Sequence, residues 1–383
     1  MKSEIESLLK ETRAFMCLDC GKCTGACPLA RQGGTYSPRM HIARMVYGYG
    51  SEVFADMDMW SCLTCGLCET NCPSNVKYTD FMSKVRVFSA GERRGGFCAH
   101  AGITHTLARM MANDGENQSR LGWVNDELKT AETGEVLYFV GCLPYFDNIF
   151  DYIKIEGTGI AKNSVELLNK LGVTPVVMKN EVCCGHDLLW SGDRDNFQKL
   201  VKKNVEAIAK TGARTIVTSC AECLRTLKVD YPQFAKLNFE VKHISEFVAE
   251  KLDGSSLKMS QFDGSITYQD PCRLGRHLKV YEPPREVLKK IPGVKLVEMR
   301  SNKDNSICCG TTHFLNCDRV SEGIRKERFS EALDTGAKTL VTACPKCQIH
   351  LKCSQSNRMQ DEGVESLHIT DFATMVNKHL VRN

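Results

Sequence analysis

Thr211-Gly-Ala-Arg-Thr-Ile-Val-Thr-Ser-Cys220-Ala-Glu-Cys223 returns 124 residues later as Thr335-Gly-Ala-Lys-Thr-Leu-Val-Thr-Ala-Cys344-Pro-Lys-Cys347. In both copies a glycine precedes a β-branched apolar run that leads into a Cys-x-x-Cys. Upstream of the first copy, Phe197, Leu200, Val201, Val205 and Ile208 fall at helical spacing, so the pattern predicts a helix over Asp193–Thr211 that stops at Gly212. The strand that follows delivers Cys220 from its C-terminal end. Val136–Val140 and Pro175–Met178 are further short apolar runs of strand type. Strand–helix–strand order implies a parallel α/β sheet, with the cysteines gathered at the edge where open α/β sheets place their ligands.

The repeat extends beyond these segments. Cys183-Cys184-Gly185 pairs with Cys308-Cys309-Gly310 at an offset of 125, and Cys142 with Cys272 at an offset of 130. Each copy therefore reads as a lone cysteine, then Cys-Cys-Gly, then Cys-x-x-Cys. The gaps are 40 and 35 residues in the first copy, and 35 and 34 in the second. A repeat of this length means two homologous domains and not a solenoid. Five thiols per copy is one more than a cubane cluster requires. Adjacent cysteines point in different directions along an extended chain, so the pair can grip two irons of an enlarged or opened cluster.

The first hundred residues carry a different pattern. Cys17, Cys20, Cys23 and Cys27-Pro28 follow C-x2-C-x2-C-x3-C-P, and Cys62, Cys65, Cys68 and Cys72-Pro73 repeat it. This is the run of a bacterial ferredoxin, in which three cysteines on one loop hold one cubane and the fourth reaches across to the other. One cluster then takes Cys17, Cys20, Cys23 and Cys72, and the other takes Cys62, Cys65, Cys68 and Cys27. Structural zinc, with its two pairs of ligands, leaves the third cysteine of each run unexplained. Between the runs, Ser37-Pro38 has the cap and first-turn residues that start a helix, expected to run to about Tyr47.

The bulk properties agree with a reduced, metal-binding chain. It has 383 residues, 42% of them apolar, and 21 cysteines. That is enough apolar material for two or three cored domains without disulfide staples. The start, Met1-Lys2-Ser3-Glu4 followed by Ile5, Leu8 and Leu9, lacks the apolar core of an export signal, so the thiols are expected to stay reduced. The longest nearly apolar stretch, around Val136–Phe146, is short of a membrane span. A cytoplasmic location is expected, with membrane association only through a partner. Net charge is +4, with no Lys/Arg stripe interleaved with aromatics, so nucleic acid is not an expected partner. Arg93-Arg94 reads as a solvated face. No glycine-rich nucleotide loop is present, so flavin or nicotinamide should sit on another subunit.

The paired Cys…Cys-Cys-Gly…Cys-x-x-Cys copies, with a ferredoxin-type segment fused ahead of them, resemble heterodisulfide reductase, and specifically its D subunit. The resemblance covers nearly the whole chain. It implies a helical bacterial-ferredoxin-like N-terminal domain followed by two homologous α/β cysteine-rich (CCG) domains. The expected bounds are 1–97 for the ferredoxin-like domain, 98–132 for a linker, and 133–253 and 254–383 for the CCG domains. It implies two cubane [4Fe-4S] clusters and two noncubane [4Fe-4S] clusters. Carried over by motif, one noncubane cluster takes Cys142, Cys183, Cys184, Cys220 and Cys223. The other takes Cys272, Cys308, Cys309, Cys344 and Cys347. It also implies an oxidoreductase subunit that passes electrons from the cubanes to clusters able to cleave a disulfide, working beside a flavin- or cytochrome-bearing subunit. Similar cysteine modules occur in electron relays, such as those of class II benzoyl-CoA reductase assemblies, and in dehydrogenase subunits that feed quinone.

Two histidines stand close to the Cys-Cys-Gly motifs. His186 follows the first directly and His313 lies three residues past the second. Either could give a proton to a leaving thiolate, although a hydrogen bond to cluster sulfur or a carbonyl is the more ordinary role. Cys98, Cys317 and Cys353 belong to no motif and read as small buried apolar residues.

Overall fold

The computed structural model describes residues 2–91, 95–116, 118–254, 257–310, 314–315, 317–358 and 364–381. His313, Arg93 and Arg94 lie outside the described residues. The molecule has a helical N-terminal part and two parallel sheets. The first sheet has the order β1 (Val136–Tyr138), β2 (Thr215–Thr218), β3 (Glu240–His243). The second holds β4 (Gly264–Gln269), β5 (Val294–Leu296), β6 (Thr339–Thr342) and β7 (His368–Asp371) in the order β5-β4-β6-β7. The repeat in the sequence is thus a repeat in topology, with β1, β2 and β3 corresponding to β4, β6 and β7.

The run at Pro175–Met178 departs from expectation. It corresponds to β5, yet it forms only parallel bridges through Val176, with Val176 N–H donating to Val136 O at 2.8 Å and Tyr138 N–H to Val176 O at 2.9 Å. Pro175 has no N–H to extend a ladder, so pairing at this edge stays confined to one residue. The helices follow their local signals closely. Ser37 caps Pro38–Val46 by accepting from Met40 N–H, and Asp193 caps Arg194–Thr211 in the same way, before Gly212 ends that helix at a positive φ.

The two α/β modules pack about an approximate two-fold. The crossover helix of the first, Gly157–Lys170, lies on the last helix of the second, Phe372–His379. The crossover helix of the second, Glu282–Lys289, lies on the last helix of the first, Ile244–Leu252. His243 at the end of β3 reaches across, its Nε2 3.1 Å from Ala343 O at the end of β6.

Residues 98–132 are built into the fold. Helix Ile103–Ala112 packs on the helices Arg194–Thr211 and His186–Trp190. The N-terminal part is joined to the rest by buried arginines. Arg86, fully buried, donates to the carbonyls of Cys62 (2.8 Å), Met59 and Trp60, and across to Trp190 O (3.1 Å). One continuous apolar core runs through all three parts.

Candidate iron–sulfur sites

The two ferredoxin-type runs fold so that each fourth cysteine crosses to the other loop. Cys27 starts a short helix at Pro28, and its thiol lies among Cys62, Cys65 and Cys68. Burial pushes the Cys27 thiol up to about 12. These four line a small pocket together with Tyr36, Leu63 and Tyr78. Cys72 stands beside Cys17 and Cys23, while Cys20 is exposed on its loop. A buried hydrogen-bond chain leads away from the second group: Tyr36 bonds the Cys62 thiol and lies 2.7 Å from Tyr78 OH, which is 3.1 Å from His41 Nδ1.

In the first α/β module all five motif cysteines converge. Cys142 follows β1, Cys220 follows β2, and Cys183-Cys184 comes in on the loop before helix His186–Trp190. Cys142 Sγ lies 3.5 Å from Cys183 Sγ, and Cys223 Sγ lies 3.4 Å from Cys184 Sγ. The five line one small pocket together with His186, Asp187, Glu222 and Lys346. Gly185 makes the turn possible: its φ is +83°, and a Cβ there would come within 2.6 Å of Phe197 Cδ2. The turn ahead of Cys142 is fixed by a buried ion pair. Arg120 donates to Gly141 O (2.6 Å) and to Glu181 (2.9 Å), while Glu181 accepts from the N–H groups of Val140 and Gly141.

The second module repeats this arrangement. Cys272 hydrogen-bonds Cys308, Cys309 hydrogen-bonds Cys308 and Cys347, and Cys347 hydrogen-bonds Cys344. All five are buried, whereas Cys142 of the first module is partly exposed. His350, one helical turn past Cys347, places Nδ1 3.2 Å from Cys309 Sγ. Groups of free thiols facing one another, a soft-ligand donor set in the sequence spacing of cluster loops, fit iron–sulfur clusters.

The two modules meet at their sites. Cys220 and Cys344, equivalent in the repeat, hydrogen-bond each other across the two-fold. Beside them sits a buried charged cluster absent from the motif reading. Lys346 Nζ is 2.6 Å from Asp187 Oδ1 and 2.5 Å from Glu222 Oε2. His186 Nδ1 lies 3.2 Å from both carboxylates, and its Nε2 accepts from Arg273 Nε at 3.0 Å. Burial, with Arg273 and Lys346 alongside, pushes His186 down to about 3. It therefore stands neutral with both ring nitrogens engaged.

The three leftover cysteines also differ from expectation. Cys98 and Cys317 are exposed and only Cys353 is partly buried. Cys98 lies on an irregular surface segment that bridges to Leu315, and Cys317 just precedes the cap of helix Arg319–Asp334, so neither faces a core. The residues that the motifs did not announce are charged ones placed inside or next to them: Glu222 in Cys-Ala-Glu-Cys, Lys346 in Cys-Pro-Lys-Cys, Asp187, Arg273 and Arg276. Their only signal was charge within otherwise apolar cysteine segments.

Two ferredoxin-type loops in front of a duplicated five-thiol α/β module define an iron–sulfur oxidoreductase component. The cysteine-rich domain family (CCG) matches residues 136–228 and 266–352, and the 4Fe-4S dicluster domain family matches 13–76. The chain is 32% identical to the D subunit of the dihydromethanophenazine:CoB--CoM heterodisulfide reductase of Methanosarcina acetivorans, over 92% of this chain and 91% of that protein. It is 30% identical to the protein of the same name from Methanosarcina barkeri, with the same coverage. It is 27% identical to the B subunit of the fumarate reductase (CoM/CoB) of Methanothermobacter marburgensis, over 94% of this chain and 71% of that one. The chain belongs to the family of heterodisulfide reductase D subunits, and is an iron–sulfur electron-transfer protein. Among the described residues, no helix is long and apolar enough to cross a membrane.

Proposed function

We propose that the chain holds two cubane clusters, on Cys17, Cys20, Cys23 and Cys72 and on Cys62, Cys65, Cys68 and Cys27. We further propose two noncubane [4Fe-4S] clusters, on Cys142, Cys183, Cys184, Cys220 and Cys223 and on Cys272, Cys308, Cys309, Cys344 and Cys347. Electrons supplied by a flavin- or cytochrome-bearing partner enter at the ferredoxin-type loops. At the α/β modules one disulfide takes up two electrons and two protons and leaves as two thiols. The observation that carries this reading is the convergence of the five thiols of each module, with the two groups in contact through Cys220 and Cys344.

When bound, the noncubane clusters supply electrons and iron sites for sulfur. The chain's own residues do the rest. The Arg120–Glu181 pair orients the Cys142 turn. The Lys346 ammonium, hydrogen-bonded to Asp187 and Glu222, holds a cation beside the place where thiolate charge develops. Burial of the second site keeps water out, and the partly exposed Cys142 marks the side from which a disulfide can approach. Anaerobic EPR of the oxidised, loaded protein tests this reading. A new paramagnetic signal on adding thiol substrates is expected, and no response to any thiol with intact clusters would overturn it in favour of a plain electron relay.

A further inference from the structure

The ferredoxin-type part touches the second α/β module through the turn Cys272 to Lys279 and, separately, through Arg31 and Gln32, which both bond Glu327. Arg273 from this turn donates to Thr64 O (2.6 Å) and Thr64 Oγ1 (2.7 Å), and Arg276 Nε donates to Cys65 O at 2.7 Å. Arg276 also donates to the carbonyls of Ser306 and Asp304 on the segment leading to Cys308. Its guanidinium is more than nine-tenths buried, and the charged groups that act on it most are Cys65, Cys272 and Cys308. One nitrogen, Nη2, is buried without a hydrogen-bond partner. A guanidinium has five N–H donors and keeps its charge at any working pH, and a buried donor left idle is costly. The idle nitrogen therefore has an acceptor to find among the sulfurs around it.

We propose that Arg276 is the electrostatic bridge of the electron-entry junction, a fixed buried cation shared between the Cys27/Cys62/Cys65/Cys68 site and the Cys272/Cys308 side of the second module, whose Nη2 donates to cluster sulfur. The electron that crosses here leaves the first site oxidised by one and the second reduced by one, and no atom moves. A reduced site carries one more negative charge, so a neighbouring buried cation and an N–H···S hydrogen bond favour the reduced form and raise the potential. Because Arg276 faces both sites, it raises both together and keeps transfer between them close to balanced. The Cys17 site lies on the other ferredoxin-type loop, away from Arg276, and serves as an internal control.

This inference rests on the ligand sets proposed above, and the unmodified protein separates the two. If the unmodified chain lacks iron and sulfide for these clusters, the ligand sets fail. If it is fully loaded, Arg276 can be judged on its own. The experiment is an EPR-monitored potentiometric titration of the loaded full chain and of Arg276→Gln and Arg276→Lys. In Arg276→Gln the reduced-to-oxidised ratio at fixed potential should fall at least about tenfold at both flanking sites, a negative shift of about 59 mV for a one-electron couple. The Cys17 site should not move. Arg276→Lys should lie nearer the unmodified protein than Arg276→Gln does. Unmoved potentials, an equal shift at every cluster, or a lysine variant indistinguishable from glutamine would overturn the proposal. If Arg276→Gln does not load, the lysine variant carries the test. Failure of both to load makes the residue structural and also overturns it.

Discussion

Replacing Lys346 by methionine strands two carboxylates in a closed space. Asp187 and Glu222 are each about 6% exposed and both depend on the Lys346 ammonium. Removing one partner of a buried ion pair costs about 3–5 kcal/mol, because the charge left behind is neither solvated nor paired. Here Glu222 supplies a partial escape. Burial already pushes its carboxyl up to about 7 against the pull of Lys346, and without that pull it rises further and takes a proton. A carboxyl whose folded pKa is raised contributes stability that is complete below the ordinary carboxylate range and is lost as pH rises through the folded value. The deficit of Lys346→Met relative to the unmodified chain should therefore be larger at pH 8 than at pH 6, by up to about 1.4 kcal/mol, since at about 1.4 kcal/mol per pH unit the unmodified Glu222 loses about one unit's worth over the same interval. Adding Glu222→Gln should recover part of the loss at pH 8 and little at pH 6. The assay is the anaerobic thermal midpoint of loaded protein, with iron content measured on the same samples. A single variant that melts with the unmodified chain at pH 8, or a deficit that does not grow with pH, would refute the argument that Lys346 neutralises a buried pair.

Three other perturbations follow from the same geometry. Cys27→Ser should remove the cluster of the Cys62 run and spare that of the Cys17 run, and Cys72→Ser should do the reverse; iron content with EPR of each variant reads this, and loss of the adjacent run's cluster would refute the crossing. Burial raises Asp371, the cap of the last helix, to about 7, so its contribution to stability is full below about pH 4 and is lost as pH rises to 7. Asp371→Asn keeps an oxygen for the cap and should melt higher than the unmodified chain at pH 8, by about 1–3 kcal/mol, with the gap closing towards pH 5. Arg273→Met removes the donor that Thr64 O, Thr64 Oγ1 and His186 Nε2 share, at a cost of about 1–3 kcal/mol. Limited proteolysis should then release the N-terminal part sooner, and an unchanged cleavage rate would show that the other contacts suffice.

Much of this arrangement was legible in the chain because it is local. Ser37-Pro38 and Asp193 announce helices through their own first turns, and Gly212 ends one through its own φ. Cysteine spacing encodes loop geometry directly, which is why the crossed grouping of Cys27 and Cys72 follows from counting residues. What the spacing does not carry is how one module sits on another. Arg273 and Arg276 look like ordinary surface arginines until the turn holding them is pressed against the Thr64–Cys65 loop. Cys98 and Cys317 look like core residues because cysteine usually is, while their segments run over the surface. Residues 98–132 carry little strand or helix pattern, yet Arg120 from that stretch braces the turn of Cys142.

Duplication explains why the two copies differ where they do. In a two-fold arrangement, equivalent residues near the axis meet each other, and a residue kept identical meets its own copy. For Cys220 and Cys344 that is tolerable, since thiols hydrogen-bond one another. At the next pair, Glu222 and Lys346, identity would bury two like charges in contact, which is among the costliest arrangements a core can hold. The copies carry opposite charges there, and the pair closes at 2.5 Å. Off the axis no such demand exists, and the Cys-Cys-Gly motifs remain the same. The second asymmetry is one of position. The second module touches the ferredoxin-type loops through Arg276, and the first has the partly exposed cysteine, Cys142. A symmetric pair of sites has in this way acquired two unlike ends, one pressed against the ferredoxin-type loops and one with a partly exposed cysteine.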